Sequence, residues 1–317
     1  MQPIPTVAEG PGAPSLRPAR PPGLDTRTLR TVGLLLLPTI GTLAVVSLYP
    51  VFRGITLSLR NTTLSSQTDS FIGLQNFQTL LGDAQFWNAW RNTIEFTAVS
   101  TLLETVLGLG MALVLFETFR GRGVVRASML VPWAIPTVVT SKMFGWLFDG
   151  QNGIINYLLK GSHLIQANVN WYGSTQHALQ TIVIADVWKT TPFMALLLLA
   201  GLQSISGTLN EAARVDGASP FQYFWRIRLP LLMPTLLIAA LLRALDAFRI
   251  FDLPYVLTGG GPADSTETLS TLTYKHLFSG LQFGFGSALA MAMFLTELLI
   301  AIGFGVFLLR RLRASGG

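Results

Sequence analysis

Six apolar blocks, each about 20 residues or longer and poor in charge, decide what this chain can fold into. They run over residues 32–52, 93–116, 124–148, 178–205, 231–253 and 286–309. A helix of about 20 residues crosses the roughly 30 Å of hydrocarbon in a bilayer, and a lipid-exposed span must satisfy its own backbone. The sequence therefore predicts an all-α membrane protein with six transmembrane helices. Only 12% of its residues are charged, against about a quarter in soluble domains. The block at 32–52 is too long for the apolar core of a signal peptide and lacks a small-x-small cleavage site, so it is read as the first span. Residues 1–30, rich in Pro, Gly and Arg without apolar periodicity, are expected to be a disordered tail, leaving 31–317 as the membrane domain.

Basic residues orient the spans. Arg17, Arg20, Arg27 and Arg30 precede the first, and Arg120, Arg122 and Arg126 surround the turn between the second and third. Arg214, Arg226 and Arg228 lie between the fourth and fifth, and Arg310, Arg311 and Arg313 follow the sixth. The opposite face holds Arg53, Arg60, Arg91, Lys160 and Lys275. Thirteen against five places both termini in the cytoplasm. The net charge of +6 follows from this topology, and no nucleic-acid partner is expected. In the first outer loop, 71–77 with Phe86, Trp87 and Trp90 reads as a helix lying at the interface.

The cytoplasmic loop 206–230 is the most informative segment. Thr208 and Glu211 have the spacing of a capping box, and Gly217 stands where a left-handed residue would end that helix. Ser219 and Gln222 form a second box, with Pro220 at the first helical position. Phe221, Phe224, Trp225 and Ile227 make the second helix too apolar to be left in water, so a partner surface is expected.

This loop resembles the coupling loop of ATP-binding-cassette importer permeases, whose signature is EAA, three residues, G, nine residues, I-x-L-P. Glu211, Ala212, Ala213, Gly217, Ile227, Leu229 and Pro230 fall at the required spacings, and Asp216 lies within the motif. Segments 131–136, 187–194 and 257–262 resemble the carbohydrate-uptake branch, with the maltose- and trehalose-type permeases nearest over roughly residues 30–313. Where maltose permeases place small polar residues on the fifth core helix, this chain has Arg243, Asp246, Arg249 and Asp252, which is more similar to trehalose-type members. The resemblance implies a type I importer transmembrane domain in a bacterial or archaeal cell membrane. It implies a sugar cargo, such as trehalose or maltose, delivered by an extracytoplasmic sugar-binding protein. It also implies a second homologous permease and a dimer of ATPase subunits that use ATP and Mg, this chain binding no cofactor. In such a complex the loop docks on the ATPase and Glu211 meets a basic residue there.

Charge within a span costs at least about 2.5 kcal/mol per group, so each case needs a reason. Asp186 and Lys189, three apart, could pair as helical neighbours. Arg243, Asp246, Arg249 and Asp252 recur every three residues and could form interhelical ion pairs or line a pathway. Trp188, Lys189, Thr190, Thr191 and Phe193 on the fourth span, with Arg243, Asp246 and Asp252 on the fifth, are the candidate sugar-pathway residues. Glu95, Glu104, Lys142 and Glu297 are assigned to packing or snorkelling. Pro132, Pro136 and Pro192 suggest broken helices in the third and fourth spans, and Pro234 a simple kink.

No GxxxxGK[ST] run is present, so ATP hydrolysis belongs to another polypeptide. No cysteine exists, and His163, His177 and His276 lack metal-ligand spacing. Neither a metal site nor an enzyme is expected. An ion-coupled secondary transporter and a membrane enzyme remain as alternatives; the first would need no docking loop and the second would need a reactive cluster.

Overall fold

The computed structural model describes residues 26–64 and 68–315. The chain divides into two units, Met1–Phe52 and Arg53–Gly317. The first is helical from Thr26, inside the stretch expected to be a tail, and residues 1–25 of that tail lie outside the described residues. Helix α1 (Thr26–Leu43) passes through a π-turn (Ala44–Leu48) into α2 (Tyr49–Ser58), with Leu34, Leu35, Val45 and Val46 exposed.

The second unit starts at Arg53 within α2 and then holds an antiparallel strand pair, β1 (Arg60–Thr63) and β2 (Thr68–Phe71), which the sequence had not suggested. Arg60 reaches across to Asp69 at 2.7 Å, and the hydrogen bonds from Arg60 and Thr62 hold the exposed Asp69 carboxyl below its ordinary range. Next comes α3 (Gln75–Gly82), the short helix expected at the interface. Phe86, Trp87 and Trp90 belong instead to the following helix, α4 (Ala84–Phe116), which starts when Asp83 caps the amide of Gln85.

The remaining helices are α5 (Arg122–Ala134), α6 (Thr137–Leu147), α7 (Ile154–Gly161), α8 (Ala178–Gln203), α9 (Gly207–Val215), α10 (Pro220–Tyr223), α11 (Leu229–Phe248), α12 (Asp252–Leu257), α13 (Leu269–Tyr274) and α14 (Phe283–Ser315). Among the described residues five helices are long and apolar enough to cross a membrane, and a sixth span results if α5 and α6 are taken together. That pair is bent by 91°. Ile135, the residue before Pro136, takes extended backbone as steric clash with a proline ring demands, and the helix stops there. The expected break in the fourth span is absent: α8 runs unbroken past Pro192, and Pro132 and Pro234 likewise lie inside helices. The fifth span ends at Phe248 and resumes as α12.

Helices α4 and α8 form the axis of this unit and are joined by α11. At Gly108 the two helices approach so closely that a Cβ would sit 2.7 Å from Met194 Cγ, the kind of contact small residues permit between membrane helices. Two apolar clusters share these helices. One gathers Ala112, Leu115, Met194, Leu198, Leu202 and Leu232; the other gathers Phe96, Phe144, Ile182, Val183, Ala247 and Leu253. Between them along α4, α8 and α11 lie Glu104, Asp186 and Arg243, all buried.

Candidate functional site

Two places hold the residues that the sequence singled out. The first is the loop between α8 and α11. Its helix α9 is capped by Ser206, whose hydroxyl accepts from the Thr208 amide at 3.4 Å and meets the Thr208 hydroxyl at 2.8 Å. The expected box between Thr208 and Glu211 does not form, because the helix starts two residues earlier and Thr208 lies inside its first turn. That leaves Glu211 exposed, with no ion-pair partner among the described residues.

At the other end of α9, Gly217 takes φ +73°. Its amide donates to Arg214 O at 3.1 Å and the Ala218 amide donates to Ala213 O at 2.9 Å, the two closing bonds of a Schellman turn. Asp216 is the C-cap, Ala212 is exposed and Ala213 is buried. The chain then re-enters helix through a complete capping box. Ser219 Oγ accepts from the Gln222 amide at 3.3 Å, and Gln222 Oε1 accepts from the Ser219 amide at 2.9 Å. A π-turn (Phe224–Arg228) carries Ile227 into α11, where Leu229 and Pro230 open the helix. Tyr223 is buried, and Arg228 lies over the rings of Phe116 and Tyr223 at 5.1 and 5.0 Å, tying the loop to α4. Phe221 and Trp225, with centroids 6.0 Å apart, are left exposed. The loop thus presents a free carboxylate and an aromatic pair on a rigid double turn.

The second place is the charged centre. Arg243 directs its guanidinium fork at three carboxylates. Nε and Nη2 both donate to Glu104, the latter at 2.9 Å; Nη2 also donates to Asp186; Nη1 donates to Asp246 at 3.1 Å. Thr190 Oγ1 adds a 2.6 Å bond to Glu104. Glu104 is therefore an ion-pair partner of Arg243, not a packing or snorkelling residue. Its partner is 139 positions away, and no local spacing in the sequence announces the pair.

The pairing of Asp186 with Lys189 that their spacing allowed also gives way. Asp186 is taken by Arg243, while Lys189 Nζ donates to Ile135 O at 2.9 Å and Trp133 O at 3.3 Å. Those carbonyls lie at the break between α5 and α6, where Pro136 ends the ladder; a cation at a helix C-terminus satisfies both carbonyls and dipole. Glu297, also assigned to packing, pairs with Arg249 at 3.3 Å.

A polar cavity of about 250 Å³ opens beside this cluster. Lys189, Thr190, Arg243, Asp246 and Asp252 line it, joined by Trp133 and Thr137 from the broken span. Of the other candidates, Phe193 stacks on Trp133 at 5.8 Å, Trp188 packs against Phe144 at 5.4 Å, and Thr191 is buried with its hydroxyl on Val187 O. Five of the eight pathway candidates thus share one cavity, and the other three, Trp188, Thr191 and Phe193, do not line it.

Residues 104–314 match the family model of the binding-protein-dependent transport system inner membrane component. The trehalose/maltose transport system permease protein MalF of Thermococcus litoralis is 44% identical over 269 residues, 85% of this chain and 90% of that protein. The trehalose transport system permease protein SugA of Mycobacterium tuberculosis is 42% identical over 271 residues, 84% of each chain. In fold, the chain is similar to a bacterial ABC transporter involved in the import of the acidic polysaccharide alginate. The TM-score is 0.77 at 23% identity, covering 90% of this chain and 97% of that one.

Proposed function

The chain belongs to the family of binding-protein-dependent transport inner membrane components, and from that premise we propose that its cargo is a disaccharide such as trehalose or maltose. It is a multi-pass inner-membrane permease of an ATP-binding-cassette sugar importer and not itself an enzyme. A sugar-loaded binding protein delivers the cargo on one face, and an ATPase drives import from the other. We assign to the finer assembly two ATPase subunits, which hold ATP and Mg, and a second homologous permease.

The observation that carries the coupling assignment is the exposed Glu211 beside Phe221 and Trp225. A carboxylate and two aromatic rings on a doubly capped turn suit docking in a groove with a basic side chain. Fixed by the Schellman turn and the Ser219–Gln222 box, the loop transmits displacement of the ATPase to α11 with little internal give. Sugar passes beside the Arg243 cluster. The cavity of about 250 Å³ falls just under the roughly 300–1,000 Å³ of pockets that enclose a small ligand, which supports a site whose other wall belongs to the second permease.

The test is reconstitution of this chain with its ATPase, companion permease and binding protein in proteoliposomes. Uptake of labelled trehalose or maltose is expected only with ATP inside the cytoplasmic-face compartment and loaded binding protein on the other. Uptake that runs on an ion gradient without ATP would overturn the assignment.

A further inference from the structure

We propose that Asp246 sets the charge selectivity of the cavity: its carboxylate accepts hydroxyl hydrogens from an uncharged sugar and repels an anionic one. This rests on the reading of the cavity as part of the sugar path.

The charges around the cavity divide by what already engages them. Lys189 directs its ammonium at Ile135 O and Trp133 O, neutral acceptors that satisfy its donors but leave its positive charge in place. Arg249 is paired with Glu297 and also donates to Leu245 O at 3.2 Å. Arg243 is buried, with two of its three carboxylate partners, Glu104 and Asp186, buried as well. Three carboxylates thus share one guanidinium, and the exposed member of the three is Asp246, whose side chain is 71% accessible.

Asp246 also has the geometry of a contact. Oδ2 accepts from Arg243 Nη1 at 3.1 Å, which fixes the carboxylate, while among the described residues no hydrogen bond engages Oδ1. A held carboxylate with one oxygen free is an acceptor for sugar hydroxyls, and hydrogen bonds to a charged group are the stronger kind. Asp252 lines the same cavity and is exposed at the start of α12. Its charge adds to that of Asp246, so the four carboxylates Glu104, Asp186, Asp246 and Asp252 outnumber the cations Arg243 and Lys189. Glu104 and Asp186 are positioning residues: they clamp the guanidinium that aims Asp246.

The sequence supplies a clean reporter, because it contains no cysteine. A Thr137→Cys variant puts one thiol of this chain on the cavity wall, with Ile250→Cys as a second position should the first disturb α6. In the assembled importer, modification of that thiol by a cationic and an anionic methanethiosulfonate reagent is followed by mass spectrometry of this chain. The cationic reagent is expected to react faster, relative to the two rates on a free thiol. Adding Asp246→Asn is expected to cut that preference about fivefold, since one unit charge about 8 Å away in water shifts the cationic and anionic rates roughly twofold each, in opposite directions. In the same vesicles Asp246→Asn is expected to raise KM for the neutral sugar about tenfold with little change in maximal rate, and Asp246→Glu to recover part of it. A reagent preference that Asp246→Asn does not move, or that favours the anion from the start, overturns the field; an unchanged KM overturns the contact. ATP-dependent uptake by the parent complex is measured alongside. Its absence would sink the permease reading, whereas its presence with an unmoved reagent ratio sinks this inference alone.

Discussion

The cytoplasmic loop and the buried ion cluster both rest on polar groups held in fixed geometry, yet they draw on opposite ranges of sequence. In the loop, partners lie two to five residues apart: Ser206 with Thr208, Ala213 with Ala218, Ser219 with Gln222. In the cluster, Arg243 finds Asp186 at a separation of 57 and Glu104 at 139. The loop therefore keeps its shape through its own chemistry and leaves Glu211, Phe221 and Trp225 exposed. The cluster spends its side chains on holding α4, α8 and α11 together. Substitutions in the two places should fail in different ways, the cluster at assembly and the loop at coupling.

The largest expected effect is on the cluster. Arg243→Met strands two buried carboxylates, and breaking a buried pair from one side costs about 3–5 kcal/mol. The detergent-solubilised importer should lose thermal stability and part of its assembly before any question of sugar arises. If assembly and melting are unchanged while uptake falls, Arg243 belongs to the path and the contrast with the loop collapses.

Gly217→Val should come next. Its φ of +73° is open to glycine and costs another residue about 1–2 kcal/mol, more with a branched Cβ. Uptake is expected to fall by more than tenfold while the melting of the membrane helices stays near that of the parent. Equal loss of both would mean that the loop is as structural as the cluster.

Glu211→Ala should have the smallest effect on the chain itself. An exposed side chain without a partner contributes little to stability, surface substitutions lying usually within about 0.5 kcal/mol. The variant should melt like the parent and bind its sugar-loaded binding protein normally, yet lose ATPase affinity and uptake. Normal uptake would separate the loop from coupling altogether.

The same contrast explains what the sequence could reveal. Ser219, Gln222, Pro220 and Gly217 act within one or two turns, so their geometry was legible. Ser206 was not distinguished from Thr208, since both are good caps and only the start of the helix chooses between them. Apolar block length outlined the spans, but the 91° bend needed Pro136 together with something to satisfy the carbonyls it frees. That something is Lys189, for which local spacing had offered Asp186 as a possible partner. Arg243 outcompeted it by reaching Asp186 from another helix, and Glu104 stayed hidden for the same reason. The pairing of β1 with β2 also escaped, because neither strand shows strong apolar alternation and the Arg60–Asp69 pair spans nine residues.

Gly108 bears on how force moves through this protein. Where a Cβ would come within 2.7 Å of Met194, neighbouring helices have no slack for sliding past one another without a clash, and packed interiors transmit strain more than they absorb it. The Arg243 cluster bolts the same pair to α11, which continues directly from the loop that carries Phe221 and Trp225. Together α4, α8 and α11 form one closely packed, ion-paired group with the loop at its end. On the proposed coupling, a stroke applied at that loop would turn the three helices as one piece, with bending left to the places where helices are interrupted: between α5 and α6, and between α11 and α12. Both interruptions border the polar cavity, so on the proposed path of the sugar the bending points would lie alongside the compartment that carries the load.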